Sequence, residues 1–378
     1  MNGYLRADGR RGIRNHLLVA YLVECAHHVA YEIAEPFIDE GVEVIGFPNC
    51  YPCAYAERML ARVCTHQNVS GVLLVSLGCE GFRLSALARA IRESGRPVEA
   101  LVIQRSGGTT ASIRAGHEWM RETLPAVTTQ RTAAFGFSEL TMGIVPSGPC
   151  GTIAGRETAA IGTLLDTLVE RGARVILTDA LSLDPGDELF RRTADPELAR
   201  ALRRASEKTR RYRAAFGKIP SANERSAASL GTTPVTGLLT PGDAPGAPGL
   251  YLLDSVPDGE PRFGPFDFNR SIAMGEAVAC GAHLLVHMAN DGSSTGSAVA
   301  PVVKICTDPT VYRTMSEDLD LDAGSADKSA DGLQATLARI IHTIDGEPTV
   351  AERLGHSEFA LIYKSFQAGT AGCPPTVA

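Results

Sequence analysis

The strongest constraint on the fold is a rhythm in the first third of the chain. Short apolar runs, each stopped by glycine, proline or a polar turn, alternate with stretches of helical spacing. The clearest run is Val72 to Leu77, where five of six residues are apolar before Gly78 breaks it. It is too short for a buried helix and reads as the central strand of a parallel sheet, buried on both faces. Leu17 to Val23, Val42 to Phe47 and Val98 to Gln104 repeat the pattern. Helical segments follow at Val29 to Ile38, Ala54 to Cys64, Leu84 to Glu93 and Ala111 to Glu122. Strand then helix, repeated in this way, specifies an α/β domain of Rossmann-like or flavodoxin-like type.

With 378 residues the chain exceeds the roughly 250–300 that one core organises, so two domains are expected. Residues 1–130 form the first and 131–378 the second. In the second, Leu140 to Val145, a helix from Ala154 to Arg171 and a strand from Arg174 to Asp179 make a further βαβ unit. Strands follow at Ala282 to Met288 and Val302 to Thr307, with helices at Asp195 to Phe216 and Leu333 to Ile344. Thr232 to Leu250, rich in Gly, Pro, Thr and Ala, reads as a loop. The second domain is therefore also α/β, with a mainly parallel sheet.

A formal charge of −7 argues against nucleic acid or an anionic membrane surface as the main partner. Arg203, Arg204, Arg210 and Arg211 read as one solvated helix face. No apolar run reaches the roughly 18 residues of a membrane helix. The apolar segment after the amino-terminal Arg-rich turn ends in Glu24 and Cys25 with no small-x-small cleavage pattern, which fits a first strand better than a signal peptide. Nine cysteines, an odd number, favour a reducing cytoplasm over a disulfide scaffold.

Ligands of open α/β sheets collect at the carboxyl ends of strands. Cys79 and Glu80 follow the third strand, Cys25 the first and Cys53 the second. The three thiols are candidate metal ligands or nucleophiles, or else small apolar fillers. Cys50 and Cys53 make a CxxC pair, but no second pair completes a zinc site. His27 and His28 follow Cys25, and either suits a ligand or a base. Gly107, Gly108 and Thr109 open a helix after the fourth strand, where backbone N–H groups either receive an anion or simply form a turn. Asn290, Asp291 and Ser293 occupy a small-residue loop between two later strands, rich in hydrogen-bonding groups.

Asp8-Gly-Arg-Arg-Gly-Ile-Arg-Asn15, a strand ending in Cys25, then Cys53, then Leu77-Gly-Cys-Glu80, together resemble the catalytic region of the altronate and galactarate dehydratase family. Gly148 to Gly162, Pro220-Ser221, Ala300 to Ile305 and Leu321 to Gly324 agree with later family segments in the same order, so the resemblance spans nearly the whole chain. It implies a lyase that takes the proton beside a carboxylate and expels a β-hydroxyl, turning a hydroxy or sugar acid into a keto acid with the help of a divalent metal, Fe2+. A branch of the family similar to the large subunit of sulfolactate sulfo-lyase expels sulfite instead.

On this resemblance Cys79, Glu80 and His27 carry the chemistry. Arg14, Asn15, Gly107, Gly108, Thr109, Asn290, Asp291 and Ser293 bind the substrate, and Cys25, Cys53 and Cys79 hold the metal. The expected partners are a small carboxylic acid, further copies of the chain and a separately encoded small subunit in place of the family's small amino-terminal domain. There are departures. Asn49-Cys-Tyr-Pro-Cys53 stands where the family has His-x-x-Gly-Cys, and Pro146-Ser-Gly-Pro-Cys150 where it has Cys-Gly-Gly-Ser-Asp. Asp291 replaces an arginine and would repel a dicarboxylate. A changed substrate, an isomerisation on the same scaffold and a non-catalytic regulatory homologue remain the alternatives.

Overall fold

The computed structural model describes residues 1–150, 153–215, 230–257, 269–324, 329–362 and 364. Pro220-Ser221, and two residues of the Gly148 to Gly162 segment, lie outside them. Contacts divide the chain into two compact units, Gly3–Ala133 with residues from Phe359 onward, and Met1–Asn2 with Ala134–Glu358.

In the first unit, β1 (Asn2–Leu5) and β2 (Arg11–Gly12) pair antiparallel. They precede four parallel strands, β3 (His16–Tyr21), β4 (Val42–Gly46), β5 (Val69–Ser76) and β6 (Val98–Val102). The order is β4-β3-β5-β6, and β7 (Thr132–Ala134) joins a separate sheet in the order β2-β1-β7. Between the parallel strands run α1 (His27–Ala34), α2 (Ala54–Cys64) and α3 (Leu84–Glu93), and α4 (Thr109–Thr128) follows β6. All eight residues of β5 are buried, as an unbroken apolar run requires of a strand covered on both faces. Leu17 and Val19 of β3 and Leu73 and Val75 of β5 pack against Ile33 of α1 and Met120 of α4. The first helix ends earlier than its spacing predicts. Pro36 has no N–H to continue the α-ladder, and Glu35–Glu40 is a 3-10 turn instead.

The second unit is built on β8 (Thr141–Val145), β9 (Arg174–Leu177), β10 (Val235–Leu239), β11 (Gly249–Leu253), β12 (Leu284–Met288), β13 (Val302–Cys306) and β14 (Leu321–Asp322). Their order is β10-β11-β9-β8-β12-β13-β14, parallel throughout. The helices are α5 (Gly155–Glu170), α6 (Pro196–Ala215), α7 (Arg270–Ala279), α8 (Pro309–Met315), α9 (Ser329–Ile344) and α10 (Val350–Arg353). β10 corrects the expected loop at Thr232 to Leu250. Only Val235 and Leu239 of its five residues are buried, and Gly237 interrupts the run, so too little apolar signal was left to read. Among the described residues no helix is long and apolar enough to cross a membrane.

Each parallel sheet reverses its strand order once. β3 has its successor β4 on one side and β5 on the other; β8 has β9 on one side and β12 on the other. The loops leaving β3 and β5, and those leaving β8 and β12, diverge at these points and open a crevice at the carboxyl edge of each sheet.

Candidate functional site

The β3/β5 crevice is made by two short turns. After β3, a 3-10 turn at Glu24–Ala26 exposes Cys25, and His27 begins α1. His27 Nδ1 lies 3.6 Å from Glu24 Oε1, and its ring packs on Tyr21 with centroids 5.0 Å apart. The carboxylate lies within ion-pair reach of one ring nitrogen, and both side chains are exposed to solvent, so the imidazole is accessible to a substrate. After β5, the backbone turns through Gly78 at φ +118°, a conformation that favours glycine. Glu80 folds back over this turn, its carboxylate accepting from the Ser76 hydroxyl and from the Gly78 N–H at 2.8 Å. Glu80 therefore shapes the turn that presents the exposed thiol of Cys79. The Gly81 N–H donates to the Cys50 carbonyl at 2.7 Å, tying this turn to the loop after β4.

Cys25, Cys53 and Cys79 do follow neighbouring strands, as expected. Cys53, however, is buried at the N-cap of α2, whereas the other two are exposed on turns. Among the described residues no three His, Cys, Asp or Glu side chains are grouped to hold a metal ion. The thiols as placed do not fit the Fe2+ site that the resemblance implies, and no step below is routed through a metal. At the expected anion cradle, the Gly108 N–H is already bonded to the Ile103 carbonyl at 3.0 Å, and the Gly108 carbonyl accepts from the Ser112 N–H and hydroxyl. Gly107 and Thr109 flank this turn, so the cradle has lost its middle donor.

Arg14 and Asn15 are not brought to the crevice. They precede β3 and stand at the amino edge of the sheet, one strand length from Cys25. Here the Asp8–Asn15 motif wraps a buried guanidinium. Arg6, 3% exposed, donates to the Gln67 carbonyl (2.6 Å), Asn15 Oδ1 (2.6 Å), the Arg14 carbonyl (2.8 Å) and Gln130. Arg96 beside it donates to the carbonyls of Val69 and His66 and pairs with Asp8 at 3.2 Å.

The β8/β12 crevice holds a polar network that sequence reading largely missed. Glu157 in the first turn of α5 is 1% exposed and accepts from the Ser147 N–H (2.8 Å), the Ser147 hydroxyl (2.5 Å) and Asn290 Nδ2 (2.7 Å). Asn290 also donates to the Thr307 hydroxyl at 2.9 Å and accepts the Thr307 N–H at 2.7 Å. Its amide clamps the loops after β12 and β13 together, where a substrate contact was expected. Asp291 lies 3.5 Å from Arg270 Nη2, and its Oδ1 accepts the Ser293 N–H at 3.2 Å. The carboxylate expected to repel an anion thus has a cation beside it. Arg270 also donates to the Ser147 carbonyl and stands 3.7 Å from Asp179, which pairs with Arg213 at 2.8 Å. Among the described residues Asp179 is the non-glycine residue with positive φ, 58°, a strained conformation typical of sites whose surroundings over-determine it. Burial raises the pKa of both Glu157 and Asp179 against the hydrogen bonds and arginines that favour their charged forms.

Beneath this network, His287 of β12 faces Val145 in β8 and Lys304 in β13 across the sheet. Both His287 and Lys304 are fully buried. His287 Nδ1 lies 3.0 Å from the Val145 carbonyl, and among the described residues its Nε2 has no hydrogen-bond partner. Lys304 Nζ donates to the Ser294 carbonyl at 2.9 Å, and burial lowers its pKa. In the sequence, His287 stands near the end of an apolar strand and Lys304 inside the Ala300 to Ile305 family segment, with nothing to single out either as a buried partner in the sheet.

Residues 3–128 match the family model described as D-galactarate dehydratase/Altronate hydrolase, second domain, and residues 225–367 the D-galactarate/Altronate dehydratase, C-terminal model. The (2R)-sulfolactate sulfo-lyase subunit beta of Chromohalobacter salexigens is 26% identical over 410 aligned residues, covering 96% of this chain and 97% of that protein. The altronate dehydratases of Bacillus subtilis and Escherichia coli are each 23% identical. These alignments cover 85% and 96% of this chain, and 68% and 77% of the respective relatives. On the two family models and these relatives, the chain is a divergent member of the D-galactarate/altronate dehydratase family.

Proposed function

We propose that the protein is a lyase that removes the α-proton and a β-leaving group from a small hydroxy acid, yielding a keto acid. The observation that supports this most is the exposed His27, 3.6 Å from Glu24, after β3, next to the strand whose turn, held by Glu80, exposes Cys79. His27 Nε2 takes the α-proton, and the C–H electron pair becomes the C=C bond of an enol. The β-substituent leaves with its own bonding pair and takes the Cys79 thiol proton. Proton return from the imidazolium through solvent restores the thiol, and the enol tautomerises to the keto acid. General acid–base catalysis of this kind contributes about 10²–10⁴-fold.

Water is the leaving group by analogy with the altronate dehydratases. A second reading, sulfite elimination from a sulfonated hydroxy acid, is favoured by one observation: the alignment spans 97% of the sulfo-lyase beta subunit. That relative's name makes a separately encoded small subunit a proposed partner. The test is incubation of the purified chain with altronate, galactarate and sulfolactate, reading keto acid and sulfite separately. Keto acid formation that falls at least tenfold in His27→Ala supports the reading, and formation unchanged in that variant removes His27 from the mechanism.

A further inference from the structure

On the seven-stranded unit, α5 and α9 lie side by side over the carboxyl ends of β12 and β13 and leave between them a cavity of about 410 Å³. This is within the roughly 300–1,000 Å³ of small-molecule sites. Its apolar lining comes from Met288, Ile305, Leu164 and Leu333. Three threonines, Thr163, Thr307 and Thr336, and one charged group, Arg156, complete it.

The polar groups are unequal. The Thr163 hydroxyl donates to the Ala159 carbonyl at 2.9 Å and the Thr336 hydroxyl to the Gly332 carbonyl at 2.8 Å. Their protons are spent within their own helices, and only their lone pairs remain for a ligand. Arg156 makes one long contact, Nη1 to the Thr307 carbonyl at 3.4 Å, and has no carboxylate at ion-pair distance among the described residues. Glu157, its neighbour in sequence, is committed to Ser147 and Asn290. The Thr307 hydroxyl accepts from Asn290 Nδ2, and the cavity therefore offers one cationic donor at its edge, a few hydroxyl groups and an apolar patch of Met288, Ile305, Leu164 and Leu333. A carboxylate meets the guanidinium well, whereas a hydroxyl-rich acid would find the Thr163 and Thr336 lone pairs for a few of its hydroxyls and would bury the others against Met288, Ile305 and Leu164 at a cost.

We propose that this cavity binds a small monocarboxylate with a branched aliphatic or aromatic body, its carboxylate on Arg156. The proposal rests on the α5/α9 cavity alone and is independent of the lyase reading at the β3/β5 crevice.

The test is calorimetric titration of the full chain with 4-methylvalerate and benzoate, alongside 4-methylvaleramide as neutral isostere and gluconate as hydroxylated acid. Saturable binding of the first two is expected, with the amide and gluconate at least tenfold weaker. Arg156→Gln, at an exposed position, should weaken the acids at least tenfold while the ligand-free melting temperature stays at the wild-type value. Ala160→Trp, which fills the cavity, should abolish binding. The proposal is overturned if neither acid saturates the wild type by about 10 mM, a limit set by the weakest affinities of interest. Equal affinity in Arg156→Gln overturns it too. So does a change of oligomeric state in that variant without acid binding, which would assign the face to a second copy of the chain.

Discussion

Arg6 shows what a buried cation demands of the residues around it. Four acceptors surround its guanidinium, and burial, reinforced by the Arg96 charge, still lowers its pKa to about 9. Arg6→Met strands the Gln67 carbonyl and the Asn15 amide, and should lower stability by roughly 3 kcal/mol, read as a urea midpoint near neutral pH. The Asp8–Asn15 motif that carried the family resemblance is thus, within its own unit, a fitting for this arginine. Its sequence shows a run of polar and charged residues but not the direction in which they point. Cys79 behaves differently. Its thiol is exposed on a turn, so Cys79→Ser should melt with the wild type while losing about 10²-fold or more in keto acid formation; a variant that remains fully active removes the thiol from the proton transfer.

At the scale of the element, the strands were legible because an apolar run of five to eight residues ended by glycine or proline has few other solutions. β5 illustrates this, and β10, interrupted by Gly237, shows the failure. Two glycines separate local demands. At Gly12 in β2 an added Cβ would stand 2.0 Å from the Gln67 carbonyl oxygen, whereas at Gly246, between β10 and β11, it would meet nothing within 4 Å. Gly12→Ala should cost about 2 kcal/mol or more, and Gly246→Ala should stabilise by about 0.5 kcal/mol through the unfolded chain; thermal unfolding of both tests the contrast. In β12, burial lowers the His287 pKa to about 4, with Asp291 pulling upward and Arg270 and Lys304 pushing down. The unfolded imidazole titrates near 6.5. The stability contributed by this depressed pKa is complete above about 6.5 and is lost as pH falls toward 4, by about 2 kcal/mol at pH 5. Urea midpoints at pH 7.5 and 5 should differ less in His287→Gln by about that amount; an unchanged difference would mean that other groups set the acid limb.

Across the whole molecule, the fold class and the placement of both crevices follow from one regularity, parallel strands whose order reverses once per sheet. The networks inside them did not show in advance. Asp179 meets Arg213 and Arg270, and Glu157 meets Asn290 133 positions later, and no local pattern announces pairings at such separations. The same topology sorts the cysteines. Cys25, Cys50 and Cys79, on turns at the carboxyl edge of the four-stranded sheet, are exposed, while Cys64, Cys150 and Cys280 are buried. Burial pushes the Cys64 thiol up to about 12 and Cys150 well above its ordinary value. A brief pulse of iodoacetamide on the native protein, followed by peptide mapping, would therefore print the strand polarity of that sheet as a chemical barcode: among the described cysteines of its unit, label on the three turn thiols and none on the buried Cys53 and Cys64.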